Sequence, residues 1–298
     1  MAEQQISNEE LEKLQKKLLD MAKVIKNIFE ENQFKYFILG GTLLGAVRHK
    51  GFIPWDDDLD FVMPRKDYEQ FLQIIDSYLP DEYGVIHYKR KECQDNPDIK
   101  KVMLHSAKII DLNSYLYTEK NGEILKRNVF IDIIPLDGIP NGKVKEIIYR
   151  LKIYIRLFSL KIARINDETY FNNGYIGNNR LKKFAYKTVK ALKIGKNRDS
   201  IAALEKFDKT LAENDYNKCN KVSNILGGHG LFKETFYRKD IGDGKSYNFE
   251  DTTFIGPQNY NVILTKMYGN DYNIIPPENS PIRQCKHSIK IEINNGEK

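Results

Sequence analysis

The chain of 298 residues holds only three cysteines, Cys93, Cys219 and Cys285, far apart and with no CxxC pair. So odd and sparse a set excludes a disulfide framework and a zinc knuckle, and predicts reduced thiols. No run of about 18 apolar residues occurs, so no segment is forced to span a membrane as a helix. Met1-Ala2-Glu3-Gln4-Gln5 offers neither a basic n-region nor an apolar h-region, so no secretory leader is expected. Internal repeats and low-complexity tracts are lacking as well. These absences predict a cytoplasmic location.

Hydrophobic residues make up 41% of the chain, enough for a sizeable core in one large domain or one domain with an appendage. The net charge of +6 suits an anionic partner without identifying it.

Ser7 followed by Glu10 is a capping-box signal, and Leu11, Leu14, Leu18, Met21, Ile25 and Ile28 recur at helical spacing, which predicts a helix over 7–32. Tyr36–Leu39 reads as a buried strand stopped by Gly40-Gly41. A helix is expected over Thr42–His49 with Thr42 as N-cap. A strand at Leu59–Met63 and a helix over Pro64–Leu79 follow. Further strands are predicted at Tyr83–Tyr88, Leu104–Asp111 and Val129–Pro135. This order predicts an α/β (α+β) fold with a mixed β-sheet core and flanking helices.

After Asn141 the texture changes. Residues 143–198 carry fifteen Lys or Arg against Glu146, Asp167 and Glu168, a balance of about +12 that leaves about −6 for the rest. This stretch reads as helical, irregular near Asn172–Asn179, and residues 199–215 as another helix. The expected division is a catalytic core over 1–142 and, over 143–298, a basic helical appendage with a C-terminal region completing the site. Lys143–Arg164 mixes apolar and basic residues. It suits a helix lying on an anionic membrane surface, hence a peripheral position at the inner face of the cell membrane. A core helix with a solvated basic face is the competing reading. Nucleic acid is not expected as a partner, because the acidic cluster described next offers it no support.

Ile53-Pro54-Trp55-Asp56-Asp57-Asp58-Leu59-Asp60-Phe61-Val62 places four carboxylates in five positions. Such a cluster repels itself unless something positive neutralises it. Strand alternation puts Asp58 and Asp60 on one face and Leu59 and Phe61 in the core. Two carboxylates so placed can grip a hard divalent cation, Mg²⁺ or alternatively Mn²⁺. An EF-hand is excluded, since its sixth and twelfth positions counted from Asp56 hold Phe61 and Asp67 rather than Gly and Glu. A phosphoaspartate phosphatase needs an apolar run before its first aspartate, and Pro54-Trp55-Asp56-Asp57 stands there instead.

Gly40-Gly41-Thr42 between strand and helix lets backbone N–H groups approach a phosphate. Phe130-Ile131-Asp132-Ile133-Ile134 sets a lone acid in an apolar strand, where it needs a cation or hydrogen bonds. Asp132 is therefore expected as metal ligand or general base, with a hydrogen-bonded structural aspartate as the alternative. Asp137, in Pro135-Leu136-Asp137-Gly138, reads as a turn residue.

Strand, Gly-Gly, helix and Asp-x-Asp on the next strand resemble the nucleotidyltransferase superfamily. The run from Leu39-Gly40-Gly41-Thr42 through Arg48-His49-Lys50-Gly51 to Trp55-Asp56-Asp57-Asp58-Leu59-Asp60 resembles the signature of the LicD/fukutin family. The likeness continues through Phe130–Gly138 and in Tyr268-Gly269, Tyr272, Pro276-Pro277 and His287, so it covers roughly residues 10–290. It implies a nucleotidyltransferase-like fold and transfer of a phospho-alcohol to a glycan. Bacterial members are similar to CDP-choline-dependent phosphocholine transferases acting on teichoic acid, capsule or lipopolysaccharide; animal relatives look like CDP-ribitol-dependent ribitol-phosphate transferases. The resemblance puts Asp56, Asp58 and Asp60 on the first acidic motif and Asp132 on the second. Arg48 and His49 fall in the loop facing the donor phosphates.

The expected partners are thus a CDP-alcohol donor, CDP-choline first, and a lipid-linked glycan acceptor. Asp58, Asp60 and Asp132 are the expected catalytic residues. The metal set is those three with Asp56. Gly40, Gly41, Thr42, Arg48, His49, Lys108 and His287 are the substrate-binding candidates. Lys108, alone in an apolar strand, could equally snorkel to solvent. Choline would need aromatic faces, which no single tyrosine or phenylalanine betrays. Alternatives are a CDP-ribitol or CDP-glycerol donor, a nucleotidylyltransferase attaching NMP to its acceptor, a non-catalytic scaffold and a membrane-surface adaptor.

Overall fold

The computed structural model describes residues 6–96, 105–120, 123–165, 187–188, 191–192, 198–225, 227–228, 230, 233–283 and 288–293. The expected irregular stretch at 172–179 and the candidate His287 lie outside the described residues.

Helix α1 (Asn8–Glu31) opens with the capping box its sequence announces. The Glu10 N–H donates to Ser7 Oγ at 3.2 Å, and Ser7 N–H donates to the Glu10 carboxylate at 2.9 Å. Its buried face, with Leu14, Leu18, Ile25 and Phe29, covers the sheet. Phe29 meets Phe61 edge-on at 5.4 Å, which seats α1 directly behind the acidic strand.

The sheet is mixed. Strands β1 (Phe37–Ile38), β2 (Asp60–Pro64), β5 (Glu123–Ile139), β4 (Ala107–Lys120) and β10 (Lys290–Glu292) run in that spatial order. β3 (Tyr83–Ile86) adds to β4. β6 (Lys221–Ser223) pairs with the end of β5, and β7 (Thr235–Tyr237) pairs with β6. β2 and β5 are parallel, whereas the other pairings are antiparallel. The α/β class is as expected, but the C-terminal third also supplies strands. β6, β7 and β10 are each three residues long, too short for alternation to announce them. A separate hairpin, β8 (Lys245–Phe249) and β9 (Thr252–Gly256), packs on the second helix.

That helix, α2, spans Gly40–Arg48 and is capped by Leu39 rather than by Thr42. The chain enters it through Gly40 at φ +60°, and the Thr42 hydroxyl instead accepts the N–H of Asp60 at 3.0 Å. Thr42 therefore ties α2 to the first residue of β2. Helix α3 (Arg65–Ile74) follows β2 and α4 (Lys91–Asp95) follows β3.

A second core cluster joins α5 (Lys143–Ile165) to α6 (Ser200–Leu211). Tyr149, Ile153 and Leu160 pack there with Leu204, Phe207 and Leu211. The short α7 (Arg238–Ile241) and then α8 (Tyr260–Tyr268) complete the described helices. No described helix is long and apolar enough to cross a membrane.

Asp137 is not a turn residue. It is fully buried inside β5 and takes a two-pronged contact from Arg65, Nε to Oδ1 and Nη2 to Oδ2, both at 2.7 Å. Arg65 also donates to Asp208 of α6 at 2.8 Å, and Tyr88 donates to the same carboxylate at 2.6 Å. The Pro-Leu-Asp-Gly composition suggests a turn, but a buried arginine brought from α3 makes that position part of the interior.

Candidate active site

The acidic loop is held from three sides. Gln15 of α1 donates to the carbonyls of Ile53 and Asp56 at 3.2 and 2.9 Å. Glu250, in the β8–β9 turn, accepts the N–H of Phe52 and donates its own N–H to the carbonyl of Lys50. Ser288 donates to the buried carboxylate of Asp57 at 2.7 Å. On Gly41 of α2 an added Cβ would lie 2.7 Å from an Asp56 oxygen, so the missing side chain is what admits that carboxylate.

Three consecutive acids, Asp56, Asp57 and Asp58, bring carboxylate oxygens within 4.8 Å of one another. Asp60 follows as the first residue of β2, with Leu59 and Phe61 fully buried on the opposite face. The parallel register sets Asp60 directly beside Asp132 of β5. Lys108 is the antiparallel partner of Asp132 from β4, and its ammonium reaches both Asp132 oxygens at 2.6 and 2.7 Å. The same ammonium lies 3.7 Å from the centre of the Phe130 ring.

These carboxylates are electrostatically uncomfortable. Burial, reinforced by Asp58 and Asp57, pushes the Asp56 carboxyl up to about 8. Burial together with Asp58 and Asp132 lifts Asp60 well above the carboxylate range, against the pull of Lys108. A crowded all-oxygen donor set whose members resist ionisation by themselves fits a hard divalent cation.

The cluster opens into a cavity of about 370 Å³ lined by Gly40, Gly41, Asp56, Asp58, Asp60, Lys108 and Asp132. Its far wall holds residues that were not among the site candidates: Asn224, Gly227, Gly228 and Glu234 from the β6–β7 connection and Tyr268 of α8, with His105 and Ser106 leading into β4. Glu234 is buried and accepts from Asn224 at 2.7 Å. A Cβ on Gly227 would lie 1.8 Å from Glu234, so that glycine makes room for the acid. Gly227-Gly228 followed by a lone glutamate was the available signal. Both His105 nitrogens are buried, and burial pulls that imidazole down to about 4.

A second cavity, of about 330 Å³, adjoins the first through Gly41, Asp56 and Tyr268. Arg48, Trp55, Asp57, Asp271 and Tyr272 line it. Arg48 donates to the carbonyls of Tyr272 and Ile274 and to His49 Nε2. Arg283 lies 4.9 Å from the Trp55 ring centre. His49 meets Trp55 edge-on and lines neither cavity. The structure thus gathers Gly40, Gly41, Asp56, Asp58, Asp60, Lys108 and Asp132 around one space. Arg48 falls in the neighbouring one, Thr42 turns inward, and His49 stands aside.

A glycine-entered helix, an acidic run and a further acid on the adjoining parallel strand thus share one cavity. Residues 33–134 match the family model described as LicD/FKTN/FKRP, nucleotidyltransferase domain. The chain is 30% identical over 254 residues to the lipopolysaccharide cholinephosphotransferase LicD of Haemophilus influenzae, covering 84% of this chain and 86% of that protein. It is 26% identical over 118 residues to the human ribitol 5-phosphate transferase FKRP, 39% of this chain and 23% of that one. An uncharacterized protein of Rickettsia typhi is 42% identical over 78 residues, a quarter of each chain. This chain belongs to the LicD family.

Proposed function

We propose that the protein is a divalent-metal-dependent phospho-alcohol transferase that moves phosphocholine from CDP-choline to a cell-surface glycan such as lipopolysaccharide, teichoic acid or capsule. The observation that carries this reading is the acidic, glycine-lined cavity in a chain that matches a cholinephosphotransferase over 86% of its length.

Asp56, Asp58 and Asp60 are the residues that would hold Mg²⁺ or Mn²⁺. Such an ion, when bound, supplies positive charge to the donor diphosphate. The N–H groups at the start of α2, bared by Gly40 and Gly41, receive phosphate oxygens. Asp132 keeps Lys108 at the cavity wall, ready for the transferred phosphoryl group. As that ammonium turns to the phosphate, the Asp132 carboxylate is released to take the proton of the acceptor hydroxyl. A bond forms between the acceptor oxygen and the choline-bearing phosphorus. The bond from that phosphorus to the bridging oxygen breaks, and CMP leaves. The second cavity suits the choline end on its Tyr268, Tyr272 and Asp271 side, away from Trp55, whose ring Arg48 and Arg283 already flank.

The test is a donor panel of CDP-choline, CDP-ethanolamine, CDP-ribitol and CDP-glycerol with Mg²⁺, scored for binding and CMP release. CDP-choline is expected to lead. Preference for CDP-ribitol, which the partial FKRP match favours, would move the chain to polyol-phosphate transfer. CMP appearing on the acceptor instead of in solution would make it a nucleotidylyltransferase.

A further inference from the structure

Helix α5 is apolar on two opposite faces. Tyr149, Ile153 and Leu160 are buried against α6, while Val144, Ile147, Ile148, Leu151, Ile155 and Phe158 stand out 58–69% exposed. Val144, Ile148, Leu151, Ile155 and Phe158 are spaced four, three, four and three apart, a continuous stripe about 21 Å long. At roughly 100 Å² apiece the six side chains present on the order of 600 Å². That is the upper end of the ~300–600 Å² found for the largest patch on a typical monomer.

The charges around the stripe are sorted. At about 100° per residue, Lys143 and Lys161 fall along one edge of it and Lys145, Lys152 and Arg156 along the other. Lys152 is drawn to Glu213 of the loop after α6. The one acid of the helix, Glu146, faces away from the stripe, accepting from Arg150 and from Lys221 of β6. An apolar band with cations on both margins and no carboxylate of its own is complementary to a surface that is apolar beneath and negative at its border. A second copy of the same face would instead bring lysine margins against lysine margins.

We propose that the outer face of α5 docks this protein on an anionic bilayer surface. The apolar side chains enter the acyl boundary, and the lysines reach up to the phosphate level on their long stems. This assignment rests on α5 alone and stands whichever donor the active site takes.

The experiment is co-sedimentation of the full chain with phosphatidylglycerol–phosphatidylcholine vesicles and with pure phosphatidylcholine vesicles. Binding is expected to the mixed vesicles, weakening as salt is raised. Leu151→Glu with Phe158→Glu is expected to lower it at least about tenfold. Lys145→Gln, Arg156→Gln and Lys161→Gln are each expected to lower it roughly fivefold. None of these side chains is buried, so thermal unfolding should stay put, and circular dichroism checks that it does. The proposal is overturned if the mixed vesicles do not bind, if the double glutamate variant binds as before, or if binding is equal on pure phosphatidylcholine. A dimer seen by ultracentrifugation and dissociated by the double variant overturns it too, since a second copy would then cover the stripe.

Discussion

Replacing Gly41 by alanine separates catalysis from folding. The new methyl would sit 2.7 Å from Asp56 Oδ2, and ordinary contact near ~3.5 Å requires the carboxylate to retreat by about 0.8 Å. A carboxylate at the end of a side chain can give way, and alanine in place of glycine in a helix gains about 0.5–1 kcal/mol. The net stability change should stay within about 1 kcal/mol, a Tm shift of no more than roughly 3 °C. The active site cannot absorb the same retreat, because a misplacement on the order of 1 Å costs about a hundredfold in rate. The assay is CMP release from CDP-choline across a Mg²⁺ titration, alongside the melting curve. Gly45→Ala is the control with the opposite signature. Its methyl would lie 2.4 Å from the backbone oxygen of Gly51, which cannot yield cheaply, so a loss of about 1–3 kcal/mol is expected. Wild-type turnover and an unchanged metal requirement in Gly41→Ala would refute the placement of Asp56 in the machinery.

Other substitutions probe the same frame. Asp58→Asn and Asp60→Asn should each abolish transfer with the fold intact, and Asp60→Asn should melt higher than wild type in chelator because it removes a buried carboxyl that the fold keeps from ionising; turnover retained by either would sink the mechanism. The folded Asp56 carboxyl at about 8 lies above its ordinary 3.8, so the native state holds the extra proton. In chelator, the stability contributed by Asp56 should therefore be fully present below pH ~4 and be lost as pH climbs through ~8. Mg²⁺ should flatten that decline, and Tm values with and without the ion at both ends of the window decide it. Arg65→Met strands Asp137 and Asp208 without their shared cation and should cost about 3–5 kcal/mol by urea unfolding. A loss under about 1 kcal/mol would mean the two aspartates are neutral in the fold.

The sequence made much of this readable because several signals are local. Ser7 and Glu10 cap α1 within one turn, and the alternation Asp58-Leu59-Asp60-Phe61 sorts acids from core over the four residues that lead into β2. The pairing of Asp60 with Asp132 was suggested by a lone acid in an apolar strand, although the parallel register itself is a long-range fact. Lys108 read as even between a site role and snorkelling, since its partner Asp132 lies across a strand pair. Thr42 looked like a cap because its neighbours in sequence are a turn and a helix, yet its hydroxyl serves a residue eighteen positions away. Helix α5 left two readings open in the sequence, and the structure buries one apolar face against α6 and leaves the other exposed.

By itself, then, the order of residues determined the α/β class, the cap of α1, the presence of a helix beside Gly40-Gly41 and the sorting of acids from core residues in the acidic run. Each follows from side chains within a turn or a strand of one another. Only the tertiary structure decided that Asn224, Glu234 and Tyr268 close the cavity, that Ser288 holds Asp57, and that Asp137 is a buried partner of Arg65. Those contacts join segments tens to hundreds of residues apart. What fixes them is how helices and strands pack, and no local pattern carries that information.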